Sequence, residues 1–265
     1  MIFYFSATGN SLYAAQKLAE MEQTTCVSIA DVMNHSKNNN EFTFQLQEDE
    51  VIGFVIPSYF CGLPSIVSEF LASFSLNFAQ GHYAFLVTTY GGAMLGAVAT
   101  MFHKAIAKQG IPLSATFSIS TIDIYIPMFP LPDKIKAEAI LKKANLQLDQ
   151  ICGAVKNREA NGHDCPQGIG ATLTTSMMYP IYKNGRKTSK FTLNDSCIHC
   201  GLCERVCPDG TICFENGKPM WSKKTCVLCL GCLHRCPARA IEYSKKTKGR
   251  ARYINPHISA ENKYL

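Results

Sequence analysis

The stretch Ile2-Phe3-Tyr4-Phe5-Ser6-Ala7-Thr8-Gly9-Asn10-Ser11 decides how the first half of this chain reads. Four apolar residues suit a buried strand, and the hydroxyl-rich run after them opens a helical pattern over residues 11–20. Backbone N–H groups and hydroxyls at a helix N-terminus form an anion site, and a glycine there lets the chain bend round a phosphate. The run holds no Lys or Arg, so neutral donors would hold such a phosphate. An ordinary Ser/Thr helix cap is the simpler alternative.

Outward from this stretch, short apolar runs alternate with helical patterns. Strands are expected near residues 2–5, 25–29, 51–56, 83–89 and 115–120, and helices near 11–20, 65–74, 94–110 and 133–156. Runs such as Val51-Ile52-Gly53-Phe54-Val55-Ile56 are apolar on both faces, as strands covered by helices on each side must be. The expectation is an α/β domain, a doubly wound parallel five-stranded sheet. Residues 31–49, with Asn38-Asn39-Asn40, receive no regular helix. Open parallel sheets bind ligands beyond their strand C-termini. Two further loops fall there, Pro57-Ser58-Tyr59-Phe60-Cys61-Gly62 and Thr89-Tyr90-Gly91-Gly92. They offer aromatic faces and close backbone approach suited to a flat ring, although loop tyrosines also serve as exposed aromatics or domain contacts.

The alternation stops near Lys156. Residues 157–190, with Asn161-Gly162 and Cys165-Pro166, read as a connector whose Met177-Met178-Tyr179 and Ile181-Tyr182 pack between domains. Beyond it lies an internal repeat. Cys197, Cys200, Cys203 and Cys207 recur 29 positions later as Cys226, Cys229, Cys232 and Cys236, and Pro208 and Ile212 return as Pro237 and Ile241. The spacing C-x2-C-x2-C-x3-C-P supplies three thiolates to one [4Fe-4S] cluster and the fourth to its neighbour. One cluster therefore takes Cys197, Cys200, Cys203 and Cys236, and the other Cys226, Cys229, Cys232 and Cys207. Zinc is the alternative, but four-Cys zinc sites separate two C-x2-C pairs by a longer spacer. Residues 191–245 are too few to build their own apolar core, so the metal contributes folding energy.

Charge and composition narrow the classes further. The 265 residues are 47% hydrophobic and 17% charged, with mean hydropathy 0.00, which excludes a disordered or fibrous chain. Residues 1–132 carry a formal charge of −5 and residues 133–265 carry +11. Eight cysteinates around two oxidised clusters would remove about four of those charges, so no stable nucleic-acid partner is expected. The Lys/Arg-rich tail, residues 246–265, reads as a solvated arm, with nucleic-acid binding the weaker option. Residues 51–68 and 83–102 are too interrupted by Pro, Gly and Thr to cross a bilayer. No signal-peptide pattern opens the chain, which points to a cytoplasmic location for its 13 cysteines. Cys26, Cys61, Cys152, Cys165 and Cys213 are expected to be structural, with Cys61 the exception if there is one, and His163 beside Cys165 is too little for a metal site. No dinucleotide loop, P-loop or Ser/His/Asp signature occurs, and no catalytic residue is assigned.

The C-terminal repeat resembles the two-cluster bacterial ferredoxins, including Phe214-Glu215-Asn216-Gly217-Lys218 as a hairpin turn between repeats. Residues 1–156 resemble the flavodoxins, whose phosphate signature matches Ser6, Thr8, Gly9, Asn10 and Ser11, although no Trp follows the third strand and no Asp-rich loop follows the fourth. That resemblance implies FMN, with phosphate on those five residues and the ring near Pro57, Ser58, Tyr59, Phe60, Gly62, Thr89, Tyr90, Gly91 and Gly92. Together the halves resemble the flavodoxin–ferredoxin fusion proteins of anaerobic bacteria and archaea. The layout so implied is a flavodoxin-like domain (1–156), a connector (157–190), a two-cluster ferredoxin domain (191–245) and a basic tail (246–265). The implied function is relay of electrons between two [4Fe-4S] clusters and FMN, and on to a ferredoxin-linked redox partner. The alternative is an FMN-dependent reductase of a small organic substrate.

Overall fold

In the computed structural model, which describes residues 1–35, 42–47, 49–77, 81–160 and 165–261, the opening strand divides its side chains between two cores. Phe3 and Phe5 join one apolar layer and Ile2 and Tyr4 the other, the period-two alternation of a strand buried on both faces. The elements through residue 156 are β1 (Ile2–Tyr4), α1 (Asn10–Met21), β2 (Cys26–Ser28), α2 (Ile29–His35), β3 (Phe42–Gln45), β4 (Ile52–Pro57), α3 (Ser65–Ser73), β5 (Phe74–Asn77), β6 (Ala84–Gly91), α4 (Val98–Ile106), β7 (Ala115–Thr121) and α5 (Lys134–Lys156). Five strands pair in parallel in the order β2-β1-β4-β6-β7. Helices α1 and α5 cover one face through Leu12, Leu18, Leu148 and Ile151. Helices α3 and α4 cover the other through Ile66, Phe70, Val98 and Phe102. The strand order reverses between β1 and β4, so the loops after those strands splay apart and leave a crevice at the sheet's C-terminal edge.

The expected strands and helices are present in this half, with three differences. Residues 29–35 are helical, and β3 pairs in parallel with β5 as a small second sheet. That strand is held by its rings: Phe44 meets Phe3 at 4.9 Å and Phe74 at 5.9 Å, contacts too remote in sequence for a local pattern to reveal. Helix α4 starts at Val98, because Met94–Ala97 is spent on a loop whose Gly96 has φ +69 and lies against Cys61. Asn38-Asn39-Asn40, Asn161-Gly162 and His163 lie outside the described residues.

The remaining elements are α6 (Gly168–Gly185), β8 (Phe191–Leu193), α7 (Leu202–Arg205), β9 (Ile212–Glu215), β10 (Lys218–Trp221), α8 (Gly231–Arg235) and β11 (Ile241–Tyr243). Strands β9 and β10 form a hairpin in which Asn216 (φ 50) and Gly217 (φ 74) make the left-handed pair that a two-residue turn requires. Strands β8 and β11 pair antiparallel, joining the two ends of the cysteine repeat. Within the connector, where no helix was expected, α6 is an 18-residue helix, and its Tyr179 and Tyr182 pack against the loop after β4 and the start of α3. Its Tyr182 is 1% exposed, accepts from the Ser65 N–H at 3.0 Å and donates to the Val227 carbonyl at 2.9 Å. Tyr182→Phe strands both backbone groups and should lower stability by about 1–3 kcal/mol, read from denaturant unfolding of the intact protein.

The tail departs from expectation in part: Lys246 and Lys248 are exposed, but residues 252–255 are buried or half-buried rather than solvated. Arg252 pairs with Glu242 at 2.9 Å, Arg250 donates to the Ile126 carbonyl, and Asn255 is 4% exposed. Composition shows the charges but not the carbonyls and carboxylate that meet them. Among the described residues no helix is long and apolar enough to cross a membrane.

Candidate functional site

Beyond the C-terminal edge of the sheet lies a cavity of about 540 Å³. Its lining includes Ser6, Thr8, Asn10 and Ser11 from the first loop, Pro57–Phe60 from the second, and Thr89, Tyr90, Gly91 and Gly92 from the third. In the first loop Gly9 (φ 98) caps α1, and its N–H donates to Ser6 Oγ at 3.1 Å. Ser11 Oγ meets Thr89 Oγ1 at 2.7 Å, tying the first loop to the third. Ser6, Thr8, Ser11 and Thr89 are all buried, a concentration of hydroxyls that an apolar cavity would not need.

The second loop turns back on itself. Tyr59 and Gly62 exchange backbone hydrogen bonds at 2.9 and 3.0 Å across Phe60 (φ 48) and Cys61 (φ 63). Two non-glycine residues in the left-handed region cost on the order of 1–2 kcal/mol each, strain held at the cavity mouth by the surrounding packing. Tyr59 is a buried residue rather than an exposed loop aromatic, 9% exposed, with its ring 6.1 Å from Phe5 and 5.8 Å from Tyr182. Its hydroxyl has no hydrogen-bond partner among the described residues. Burial, with Cys229 next, pushes that hydroxyl well above its ordinary pKa.

Two residues of the expected set stand outside the lining. A Cβ on Gly62 would fall 2.2 Å from the Tyr179 ring, so this glycine makes room for α6 rather than for a ligand. Gly9 faces the C-terminal tail, where a Cβ would meet Asn255 and Ile258 at 3.0 Å. Cys61 lines the cavity while its thiol donates to the Met94 carbonyl at 3.7 Å. Cys165 is buried and donates to the Phe117 carbonyl at 3.3 Å.

Two further walls were not anticipated. Ile122–Tyr125 follows β7, and Asp123 Oδ1 there accepts from the Tyr125 N–H at 2.8 Å, while burial raises the carboxyl's pKa. The signal was available, since this loop too follows a strand C-terminus and carries the one acidic residue between Glu69 and Asp133. The other wall is Leu228-Cys229-Leu230, from the cysteine repeat. It is held there by Gly231, where an added Cβ would lie 3.4 Å from the Ala7 carbonyl oxygen, and by His234, whose Nε2 lies 2.8 Å from the Ile124 carbonyl. In the first repeat the corresponding positions are Ile198-His199 and Gly201, so the apolar Val227-Leu228 and Leu230 mark the second repeat as the one facing protein.

The eight cysteines gather into two sets. Cys207, Cys226, Cys229 and Cys232 line one small cavity, and Cys197, Cys200, Cys203 and Cys236 line another. Each set draws its fourth cysteine from the other repeat. The repeats also place matching N–H groups on sulfur, Thr211 on Cys207 at 3.2 Å and Ala240 on Cys236 at 3.3 Å. Burial pushes the Cys203 and Cys226 thiols up to about 12, so thiolates there need a cationic partner. Among the described residues no three His, Cys, Asp or Glu side chains converge on a single-ion position. The sets differ in depth: all four members of the first are buried, whereas Cys200 of the second is exposed.

Residues 193–213 match the 4Fe-4S binding domain family. The chain therefore carries a 4Fe-4S binding motif, covering Cys197, Cys200, Cys203 and Cys207. No curated protein matches the chain. Solved structures resemble part of it, two of them as follows. One is a metal-soaked Flv1 flavodiiron core from Synechocystis sp. PCC6803, at 14% identity over 58% of this chain and 36% of that one, with a TM-score of 0.28. The other is rubredoxin oxygen:oxidoreductase from the anaerobe Desulfovibrio gigas, at 16% identity over 59% of this chain and 36% of that one, with a TM-score of 0.30. This chain spans little more than a third of the length of either.

Proposed function

We propose that this chain is an electron-transfer iron–sulfur flavoprotein, a flavodoxin-like domain joined to a two-cluster ferredoxin domain, carrying electrons between two [4Fe-4S] clusters and FMN and on to a redox partner. One observation carries the reading: Leu228, Cys229 and Leu230 line both the inner cysteine cavity and the large cavity at the sheet edge. A single three-residue wall separates them, so groups held on either side would be close enough to exchange electrons without solvent between them.

The residues fit FMN. The cavity's size lies within the range of cofactor sites. The first loop supplies neutral donors at the N-terminus of the 12-residue helix α1, which suits a phosphate, and Thr89 and Ser11 fix one another beside it. Tyr90, Phe60 and Tyr125 supply aromatic faces, and Asp123 an acceptor for a ring N–H. FMN, when bound, gives or takes electrons singly or in pairs, whereas each cluster handles one at a time. The two cysteine sets fit [4Fe-4S] cores, four cysteines lining each small cavity. Depth gives the order of the path. The set with exposed Cys200 faces outside partners, and the buried set adjoins the flavin cavity. Met94, Met128 and Phe129, each about half exposed at the cavity rim, offer a partner protein an apolar landing. On this reading the flavodoxin-like domain spans residues 1–156 and the ferredoxin domain 191–245.

Asp123 favours a second reading, reduction of a small organic substrate at the flavin, because it puts the one carboxyl of the lining beside the ring site, and burial raises the pKa of that carboxyl. Saturable turnover of a small acceptor by the reduced protein, lowered by Asp123→Asn, would select it.

The primary test is anaerobic purification with iron, sulfide and flavin quantified together. About eight irons and one FMN per chain are expected. Eight irons without flavin after reconstitution would overturn the flavin half of the proposal, and four would overturn the second cluster.

A further inference from the structure

Asn10 lies at the start of α1 and lines the large cavity, and an asparagine there can present either its carbonyl or its NH2 to a ligand. Which it presents is decided far away in sequence. The His257 backbone N–H donates to Asn255 Oδ1 at 3.0 Å. A backbone N–H cannot accept, so this bond fixes the Asn255 amide with its oxygen on His257 and its NH2 free to donate. That NH2 meets Asn10 at 3.0 Å, which requires Asn10 to offer its oxygen there. The Tyr253 hydroxyl donates to the same Asn10 Oδ1 at 2.7 Å. With both lone pairs of Oδ1 taken, the Asn10 NH2 is left for the cavity, and it has no hydrogen-bond partner among the described residues.

The clasp is built rather than incidental. The Asn255 N–H also donates to the Thr8 carbonyl at 2.7 Å, Asn255 and Ile258 close over Gly9, and the His257 ring stacks on Tyr13 at 4.5 Å. We propose that Tyr253 and Asn255 are positioning residues of the phosphate site: they lock Asn10 with its NH2 donor toward the anion, and so set the preference for a phosphorylated flavin over the bare one. This rests on the FMN reading above.

The test compares FMN with riboflavin, which shares the ring and lacks the phosphate, on flavin-depleted full-length protein with its clusters in place, by flavin fluorescence titration. In Asn255→Ala, and more mildly in Tyr253→Phe, FMN affinity should fall about tenfold while riboflavin affinity changes less than about threefold. Asn10→Ala should lose the same preference, and the Asn10→Ala/Asn255→Ala double variant should lose no more than Asn10→Ala alone. Equal losses for both flavins would overturn the proposal, leaving the clasp a purely structural brace. Additive losses in the double variant would overturn action through Asn10. Wild-type protein that binds neither flavin would instead sink the FMN reading itself.

Discussion

On the proposed two-cluster reading, Cys207→Ser should remove the inner cluster, the one whose other thiols come from the second repeat, and leave intact the outer cluster that Cys207's own repeat supplies. Cys207 shares its cavity with Cys226, Cys229 and Cys232, while Cys197, Cys200 and Cys203 surround the other with Cys236. Iron should fall from about eight to about four per chain. Paired substitutions make the test sharp. Cys207→Ser with Cys226→Ser removes two ligands of one set and should cost no more iron than Cys207→Ser alone. Cys207→Ser with Cys197→Ser strikes both sets and should empty both. The reverse outcome would mean that each repeat binds its own cluster. Flavin content should survive Cys207→Ser, because Cys207 does not line the large cavity, whereas electron exchange between an external donor and the flavin should fall sharply once the inner site is lost. Cys236→Ser should instead spare the inner site.

How much of this was legible beforehand depends on how local each signal is. The cysteine sets were readable because a fixed spacing is itself geometry: three thiols on one tight loop and a fourth past a proline can reach only certain places. The middle of the sheet was readable because the apolar runs of β1, β4 and β6 record burial on both faces. The clasp was not, because Tyr253 and Asn10 are 243 positions apart, and although Asn10 belongs to the first-loop signature, Tyr253 and Asn255 sit in no recognisable pattern. Charge counting misled at the same point. Arg250 and Arg252 read as a solvated arm, but their partners are the Ile126 carbonyl and Glu242, which no composition reveals. Gly62 shows a subtler limit. A glycine in a ligand-facing loop suggests close approach by a ligand, and close approach is what it provides, but to the Tyr179 ring from α6. The wall formed by Leu228, Cys229 and Leu230 lay between these cases: its apolar character was visible, its destination was not.

Gly91→Ala should be the most damaging single methyl at the large cavity, and its neighbour Gly92→Ala a mild one. Backbone conformation alone argues the opposite, since Gly92 has φ +74 and Gly91 is not in the left-handed region. Space decides it. A Cβ on Gly91 would fall 2.3 Å from Asp123 Cα and 2.7 Å from Asp123 N, backbone atoms that no rotamer change can move. On Gly92 the nearest atom is Asp123 Oδ2 at 3.5 Å, ordinary contact, so only the left-handed strain of about 1 kcal/mol remains. Relieving the Gly91 clash means prying the loop after β7 away from the end of β6, where Thr121 Oγ1 donates to the Tyr90 carbonyl at 3.2 Å. The cost should be about 2–3 kcal/mol, the upper range for overpacking. Because Tyr90 and Asp123 both line the cavity, the same movement should empty it of flavin even where the protein stays folded. Denaturant unfolding with flavin and iron stoichiometry on each variant tests this: Gly91→Ala should retain iron and lose flavin, and Gly92→Ala should retain both. If Gly92→Ala proves the worse of the two, left-handed strain rather than the approach of Asp123 governs this wall.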